Sequence, residues 1–235
     1  GWFLDEYSKN RQFFTYDNAC KIGAINKKIK EWHKKNYITS KENAFLVASL
    51  IDSMDKVANT AGTYYAYLKD WTTKALNVFE YKFIEPIKGK YKGYSYQVDA
   101  LKLIQKQHYD IVYLDPPYNE RSYSRYYHLP EVIARQIEPE VNGKAGIPNI
   151  ELQKSNYNNK TKALESFKQL IDSVDCKVLL FHYTDNGLIE KDDIIEIFKN
   201  YGTISEYYLD CLGYSTKQEI RKDMHHIYMV NMKNG

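Results

Sequence analysis

The architecture of this 235-residue chain is indicated by one stretch, Tyr109-Asp110-Ile111-Val112-Tyr113-Leu114-Asp115-Pro116-Pro117-Tyr118. Its first six residues include β-branched and aromatic side chains and predict a strand. The two prolines end that strand, because each fixes φ and lacks the N–H that a further ladder bond needs. Open α/β sheets bind ligands beyond the carboxyl ends of their strands. Asp115 and Tyr118 are therefore the first candidate site residues.

The sequence around this stretch alternates between strand and helix patterns. Further strands are predicted at 94–98, 177–183, 203–212 and 225–232. Helical spacing occurs at 100–106, 162–174 and 191–200, and Gly202 marks the end of the last of these helices. The alternation predicts an α/β fold with a parallel sheet, and it leaves room for antiparallel pairing at the end of the chain.

The first third of the chain has a helical pattern. Apolar residues recur at spacings of three and four over 17–35, after Thr15 as N-cap, and a second helix is predicted from Ser40 towards Val57. We therefore expect a helical region at 1–77 and an α/β part at 78–235. Residues 119–161 show little periodicity, and a compact domain rarely keeps so long a loop without a function.

Composition restricts the class of protein. A hydrophobic fraction of 43% and a charged fraction of 27% are typical of a soluble globular domain and argue against disorder. No apolar run approaches the roughly 18 residues of a membrane span. The three cysteines lack CxxC spacing, which argues against a disulfide framework and favours the cytoplasm. The net charge of +3 permits a nucleic-acid partner without arguing for one.

The segment Asp115-Pro116-Pro117-Tyr118 combines hydrogen-bond acceptors with an aromatic ring. The prolines leave the local backbone with carbonyl oxygens only, and Asp115 adds a carboxylate. Such a site suits an amino group on a planar ring, such as the exocyclic amine of adenine. Acceptance of its two hydrogens by Asp115 and the Pro116 carbonyl would make the nitrogen more nucleophilic, and Tyr118 would stack on a base flipped out of the duplex. The alternative is a simple strand-ending turn.

These four residues resemble the catalytic motif of the Dam/MboI-like adenine-specific DNA methyltransferases. Other segments are similar to the same family: Phe13-Phe14-Thr15, residues 55–64, Tyr118-Asn119-x-Arg121-x-Tyr123, Tyr126-Tyr127-His128-Leu129 and residues 180–187. The resemblance implies a Rossmann-like methyltransferase sheet with a helical insertion, the cofactor S-adenosylmethionine and double-stranded DNA as partner. It also implies a restriction-modification system, and association with the nucleoid when the protein is bound to DNA.

The resemblance also assigns cofactor and DNA contacts. Asp99 and Ala100 match the family position that contacts the adenine of the cofactor, and Asp115 would touch its methionine end. Asp99 also fits the N-cap of a helix, and both roles can coexist. The segment after the motif interleaves basic and aromatic residues. Its predicted DNA contacts, against the alternative of a solvated loop with packed tyrosines, are Asn119, Arg121, Tyr123, Arg125, Tyr126 and His128.

The histidines indicate no metal site. His225 and His226 are adjacent on a predicted strand, so one should point into the structure and the other outward. A third ligand at suitable spacing is missing from the sequence, and we predict no metal. His182 is interpreted as a packing residue.

One family feature is missing from the sequence. The family has a glycine-rich turn of the Phe-x-Gly-x-Gly type, whereas no two of the 11 glycines here are separated by a single residue. We expect that the chain lacks the amino-terminal third of the family, and that this third exists as a separate chain or segment or was cut away. The strand at 109–114 would then lie at an exposed apolar edge of its sheet.

Three functions follow from these observations. The leading hypothesis is an adenine-specific DNA methyltransferase. The first alternative is a non-catalytic DNA-binding or specificity subunit, or a fragment of a divided methyltransferase. The second is methylation of an amine or amide on RNA or protein. The aspartate at the head of the motif and the resemblance through the following loop favour DNA adenine.

Overall fold

A computed structural model describes residues 1–105, 107–150, 155–212 and 222–233. The chain divides into two compact units. The first contains residues 1–92 and 123–153, and the second contains residues 93–122 and 154–235. No helix among the described residues combines the length and the apolar composition that a membrane span requires.

The helical elements are distributed over both units. In chain order they are α1 (Trp2–Leu4), a π-helical turn (Asp5–Lys9), α2 (Tyr16–Lys34), α3 (Ser40–Asp55), α4 (Thr73–Leu76), α5 (Ala100–Ile104), α6 (Tyr123–Tyr126), α7 (His128–Arg135), a 3₁₀ turn (Asn156–Asn158), α8 (Ala163–Ser173) and α9 (Lys191–Tyr201).

The first unit is built on the two long helices α2 and α3, which confirms the helices predicted there. Their apolar stripes meet in a core in which Ile22, Leu50 and Met54 are fully buried. Helix α3 begins with a capping box: the Thr39 hydroxyl accepts from the Glu42 N–H at 3.2 Å, and the Glu42 carboxylate accepts from the Thr39 N–H at 2.7 Å. The box satisfies two backbone groups at the helix end, including a donor that a helix leaves without an internal partner.

Part of the region predicted to be a long loop is ordered secondary structure in the first unit. Helix α7 places Leu129 and Ile133 in the core, and the strands β2 (Val141–Asn142) and β3 (Ile147–Pro148) pair as a short antiparallel ribbon. The expectation of little regular structure over 119–161 was wrong for these residues. An apolar stripe of only two turns gives too weak a periodicity to identify a helix from sequence.

The second unit contains a four-stranded sheet of β1 (Tyr109–Leu114), β4 (Cys176–Thr184), β5 (Gly202–Leu212) and β6 (Lys222–Met232), in the order β1-β4-β6-β5. Strands β1 and β4 are parallel, and both pairings of β6 are antiparallel. The α/β class and the antiparallel end of the sheet are confirmed. The expected parallel sheet is reduced to one parallel pair among the described strands.

One face of this sheet forms the core of the second unit. Phe181 of β4 lies between Phe167 of α8 and Phe198 of α9, with ring centroids 4.7 and 5.7 Å away. Tyr228 of β6 extends the cluster, 6.0 Å from Phe198. All four rings are almost fully buried. Aromatic burial on this scale is a major stabilising contribution, and it fixes β4 against its two covering helices.

The first strand lies at an edge of the described sheet, as predicted. Ile111 and Tyr113 of β1 are 62% and 54% exposed. The strand predicted at 94–98 does not form: the segment is irregular, and Tyr94, Tyr96 and Val98 are exposed. Its β-forming residues have no pairing strand among the described elements, and propensity without a partner does not make a strand.

Candidate active site

The parallel pairing of β1 and β4 brings an acid and a histidine together. Leu114, the last residue of β1, pairs with Phe181 of β4, and these two residues are followed by Asp115 and His182, respectively. The Asp115 Oδ1 and His182 Nδ1 atoms are 3.0 Å apart. Both groups are accessible, with side chains 49% and 21% exposed. The interpretation of His182 as only a packing residue was wrong, because its side chain contacts the predicted catalytic carboxylate.

A second histidine and the motif tyrosine complete the group. His182 Nε2 lies 2.9 Å from His225 Nδ1, and the two imidazole rings stack with centroids 5.1 Å apart. The Tyr118 ring is edge-on to the His225 ring, with centroids 6.1 Å apart. The Tyr118 backbone carbonyl accepts a hydrogen bond from the Leu188 N–H at 3.0 Å. Asp115, Tyr118, His182 and His225 are called the carboxylate–histidine cluster below.

Hydrogen-bonding chemistry fixes the donors within the carboxylate–histidine cluster. An ionised carboxylate only accepts, so His182 must donate from Nδ1 to Asp115. If His182 carries a single proton and that proton is on Nδ1, its Nε2 is an acceptor, and His225 then donates to it from Nδ1. The cluster is therefore a chain of donors directed at Asp115 Oδ1, and Asp115 Oδ2 accepts no hydrogen bond among the described residues.

The two prolines complete the acceptor set. Pro116 and Pro117 are half-buried and lie outside any helix or strand, directly beyond the end of β1. Neither has an N–H, so this part of the backbone offers only carbonyl oxygens. An amino group bound beside Asp115 would therefore meet acceptors in both the side chain and the backbone.

Asp99 and Ala100 precede and begin helix α5. The Asp99 carboxylate accepts a hydrogen bond from the Leu101 N–H at 3.0 Å, which confirms the N-cap interpretation. Both residues are exposed. One carboxylate oxygen satisfies the helix, and the carboxylate retains acceptor capacity for hydroxyl or amino donors such as those of a nucleoside.

The beginning of the predicted DNA-binding segment is held by a residue that sequence reasoning missed. The Asn158 side-chain amide donates to the Asn119 carbonyl at 2.8 Å and to the Arg121 carbonyl at 3.1 Å. The Asn119 side chain in turn accepts from the Arg121 N–H at 3.0 Å. These bonds shape residues 119–121 beyond the catalytic motif and leave the Arg121 side chain exposed.

The other predicted DNA contacts lie in the first unit and differ in exposure. Tyr123 and Arg125 are exposed, whereas Tyr126 is only 7% exposed and His128 is fully buried. His128 Nε2 bonds to the Tyr64 carbonyl at 2.8 Å, and burial lowers the pKa of His128 to about 4. The DNA contacts predicted for Tyr126 and His128 do not fit this structure, because the two side chains are interior packing groups.

His226 lies on the opposite face of β6 from His225, as the alternation of a strand predicts. It is 5% exposed and lies between two carboxylates, 2.5 Å from Glu206 Oε1 and 2.6 Å from Asp185 Oδ1. Burial disfavours ionisation of Glu206, but hydrogen bonds from Lys191 and His226 outweigh it and lower the pKa of Glu206. Across the described ranges, no three His, Cys, Asp or Glu side chains are grouped so that they could hold a metal ion.

Comparisons with known proteins give a consistent family. The family model of D12 class N6 adenine-specific DNA methyltransferases matches residues 3–197. The Type II methyltransferase M.FokI of Planomicrobium okeanokoites is 36% identical over 197 residues, which cover 84% of this chain and 30% of that protein. The Type II methyltransferase M.NlaIII of Neisseria lactamica is 37% identical over 195 residues, which cover 82% of this chain and 57% of that protein.

A third relative extends the pattern. The modification methylase StsI of Streptococcus sanguinis is 33% identical over 203 residues, covering 86% of this chain and 31% of that protein. The chain thus spans between less than a third and just over half of the length of these three relatives. No solved structure matches the chain significantly.

Proposed function

The chain belongs to the D12 class N6 adenine-specific DNA methyltransferase family, and from this premise we propose that it carries the amine-activating site of a site-specific DNA methyltransferase. The observation that carries the proposal is the position of Asp115, at the carboxyl end of β1 and hydrogen-bonded at 3.0 Å to His182. Relatives named as modification methylases or Type II methyltransferases support a role in restriction-modification.

The proposed chemistry uses acceptors and needs no covalent intermediate. Asp115 Oδ2 and the Pro116 carbonyl accept the two amine hydrogens of a flipped adenine, and Tyr118 stacks on the base. S-adenosylmethionine would supply an electrophilic methyl group when bound and would leave as the neutral thioether, and Asp115 and Pro116 would hold the amine nitrogen that takes up the methyl group. One amine proton is then released, so the product is the neutral methylated base. Asp115 stabilises the positive charge that develops on the nitrogen.

The cofactor contacts are proposed from the donor set of the chain. Asp99 retains acceptor capacity beyond its N-cap bond and would hold the adenosine part, with Ala100 beside it, while Asp115 would contact the methionine part. The sequence contains no closely spaced glycine pair, so we propose that a separate chain or segment supplies the glycine-rich turn. The parallel β1–β4 pair would then belong to a larger Rossmann-like sheet with residues 1–77 as its helical insertion.

The proposed DNA contacts follow from exposure. Asn119, Arg121, Tyr123 and Arg125 are the predicted residues that remain half-buried or exposed. Arginine can contact phosphate or a guanine edge, and tyrosine can stack on bases. The proposed substrate is double-stranded DNA, and the proposed location is the cytoplasm, with association to the nucleoid when the protein is bound to DNA.

A second candidate function is a DNA-binding subunit without turnover. The observation that favours it is the absence of a glycine-rich turn from the sequence. In that case the chain would bind DNA, and methyl transfer would remain absent when the missing turn is supplied. The intact carboxylate–histidine cluster favours the catalytic proposal, because DNA binding alone does not require a supported carboxylate.

Labelled methyl uptake tests the substrate class. The chain is incubated with methyl-labelled S-adenosylmethionine and either duplex DNA, RNA or a protein mixture, alone and with the upstream segment of a curated relative added as a separate chain. We expect uptake into duplex DNA and its loss in D115A. A matched control is D110A, because Asp110 lies on the same strand and forms its ion pair with the surface residue Lys177. Uptake into RNA or protein instead of DNA would overturn the proposal.

A further inference from the structure

We infer that His182 is a positioning residue for the Asp115 carboxylate, and that His225 fixes the tautomer in which it acts. This inference rests on the proposed function, since Asp115 is the residue through which His182 would act. It concerns three side chains, Asp115, His182 and His225, joined by hydrogen bonds of 3.0 and 2.9 Å.

The position of His182 is set by strand register. His182 follows Phe181, which pairs with Leu114, so it lies beside Asp115 across the parallel β1–β4 pair. Phe181 is fully buried between α8 and α9, and this holds the neighbouring His182 at a fixed height on the sheet. A carboxylate that follows an edge strand would otherwise rotate freely in solvent, because the side chain of Asp115 is 49% exposed.

The hydrogen bond selects one carboxylate oxygen. His182 occupies Oδ1, which leaves Oδ2 for an incoming amine hydrogen. Groups that act on a substrate must be held close to the productive geometry by neighbours whose own orientation is fixed. His182 meets this condition because His225 holds its other ring nitrogen, and because the two rings stack at an interplanar angle of 26°.

The direction of the hydrogen bonds distinguishes positioning from proton removal. Both histidines donate towards Asp115, so neither can take up a proton from that carboxylate without first losing one. The cluster is therefore arranged to hold an ionised acceptor. The proton released from the amine passes to solvent water, which reaches the half-exposed Asp115 side chain, and removal of His182 should lower the rate of transfer without altering DNA affinity.

The same pair of strands provides a matched control. His108 and Asp175 precede β1 and β4 at their amino ends, and their Nδ1 and Oδ1 atoms are 2.8 Å apart. This pair has the same chemistry and is likewise exposed to solvent, with side chains 43% and 62% exposed. It lies at the end of the sheet away from the catalytic motif. H108A thus removes an equivalent histidine–carboxylate bond with no expected effect on methyl transfer.

The first experiment does not depend on activity. Nitrogen-15 NMR of histidine rings in the purified chain reports which ring nitrogen carries the proton. We expect His182 to be protonated at Nδ1, with slow exchange of that proton, and we expect the protection to be lost in D115A. Protonation of neutral His182 at Nε2, or a signal that D115A leaves unchanged, would overturn the inference.

The second experiment measures single-turnover methyl transfer and DNA affinity for H182A, H182N and H108A. Removal of a residue that orients a metal ligand typically lowers activity about 10- to 100-fold, and we expect a loss of similar size for a residue that orients a catalytic carboxylate. We expect that loss in H182A with unchanged DNA affinity. We expect the methyl-transfer rate to recover in H182N, because its amide nitrogen replaces Nδ1 as the donor. We expect H108A to transfer at the wild-type rate.

Equal rates in H182A and wild type, or an H182N variant as slow as H182A, would contradict the positioning role. If the wild-type chain transfers no methyl group even with the upstream segment added, the proposed function fails. The NMR result then still decides whether His182 holds Asp115.

Discussion

Asp115 and His182 are 67 residues apart in the chain, and their Oδ1 and Nδ1 atoms are 3.0 Å apart in the structure. This distance results from the parallel pairing of β1 and β4, in which Leu114 and Phe181 are partners. A carboxylate can accept hydrogen bonds at both oxygens. Here His182 holds Oδ1, and Oδ2 is available to a substrate amine.

The position of the Tyr183 ring, which contacts Tyr118 of the catalytic motif, depends on the absence of a side chain at Gly187. A Cβ added at Gly187 would overlap the Tyr183 ring, which stacks on Phe181 and is edge-on to Tyr118 at 6.4 Å. We expect G187A to lower the free energy of unfolding by about 1–3 kcal/mol, the usual cost of overpacking. Thermal or urea unfolding measures the change. The control is G93A, because a Cβ at Gly93 meets no atom within 4 Å, and an equal effect of both substitutions would contradict the prediction.

Acid should destabilise the first unit through His128. Burial lowers the pKa of His128 in the folded state to about 4, from 6.5 for the free side chain. The unfolded state therefore binds more protons than the folded state between these two pH values. The contribution of His128 to the free energy of unfolding is complete above about pH 6.5 and is lost as the pH falls towards 4. At 1.36 kcal/mol per pKa unit the total is about 3 kcal/mol.

Urea unfolding at a series of pH values measures this contribution. In H128Q the amide can still donate to the Tyr64 carbonyl but does not titrate, so its free energy of unfolding should fall less than that of wild type between pH 6.5 and 4. Parallel curves for wild type and H128Q would show that His128 does not titrate as predicted.

Asn158 should contribute to DNA binding without touching DNA. Its side-chain amide donates to the carbonyls of Asn119 and Arg121, and it thereby orders the start of the proposed DNA-binding segment. Net hydrogen-bond contributions are about 1 kcal/mol each, so N158A should weaken DNA affinity by about 5- to 30-fold. Fluorescence anisotropy with labelled duplex DNA measures this. N200A, which removes a side-chain hydrogen bond to the Glu196 carbonyl within α9, should bind as wild type does, and an N158A affinity equal to that of N200A would exclude this role.

Much of the fold could be predicted from local sequence patterns. The stripes of α2 and α3 and the apolar runs of β1 and β4 each contain enough residues to reveal their period. Helix α7 was missed because its stripe is short. The segment at 94–98 was assigned as a strand because its residues favour extended backbone, although strand formation also requires a partner.

The candidate site was predictable only in part. Asp115 and Tyr118 are adjacent to a strand end and are evident from the sequence, whereas the role of His182 depends on the register between two strands far apart in the chain. His225 reaches the site through a third strand. Pairing His182 with Asp115 in advance would have required alignment of the two strand ends. The burial of His128 likewise depends on a contact with Tyr64, which no local pattern reveals.

The proposed function requires that this chain supplies the site at which an adenine amine in DNA accepts a methyl group beside Asp115. The most direct measurement is mass spectrometry of nucleosides from duplex DNA that has been incubated with the chain, S-adenosylmethionine and the upstream segment of a relative. We expect N6-methyladenine with the wild-type protein and none with D115A. Methylated adenine formed equally by D115A, or no methylated adenine with wild-type protein while duplex DNA is still bound, would contradict it.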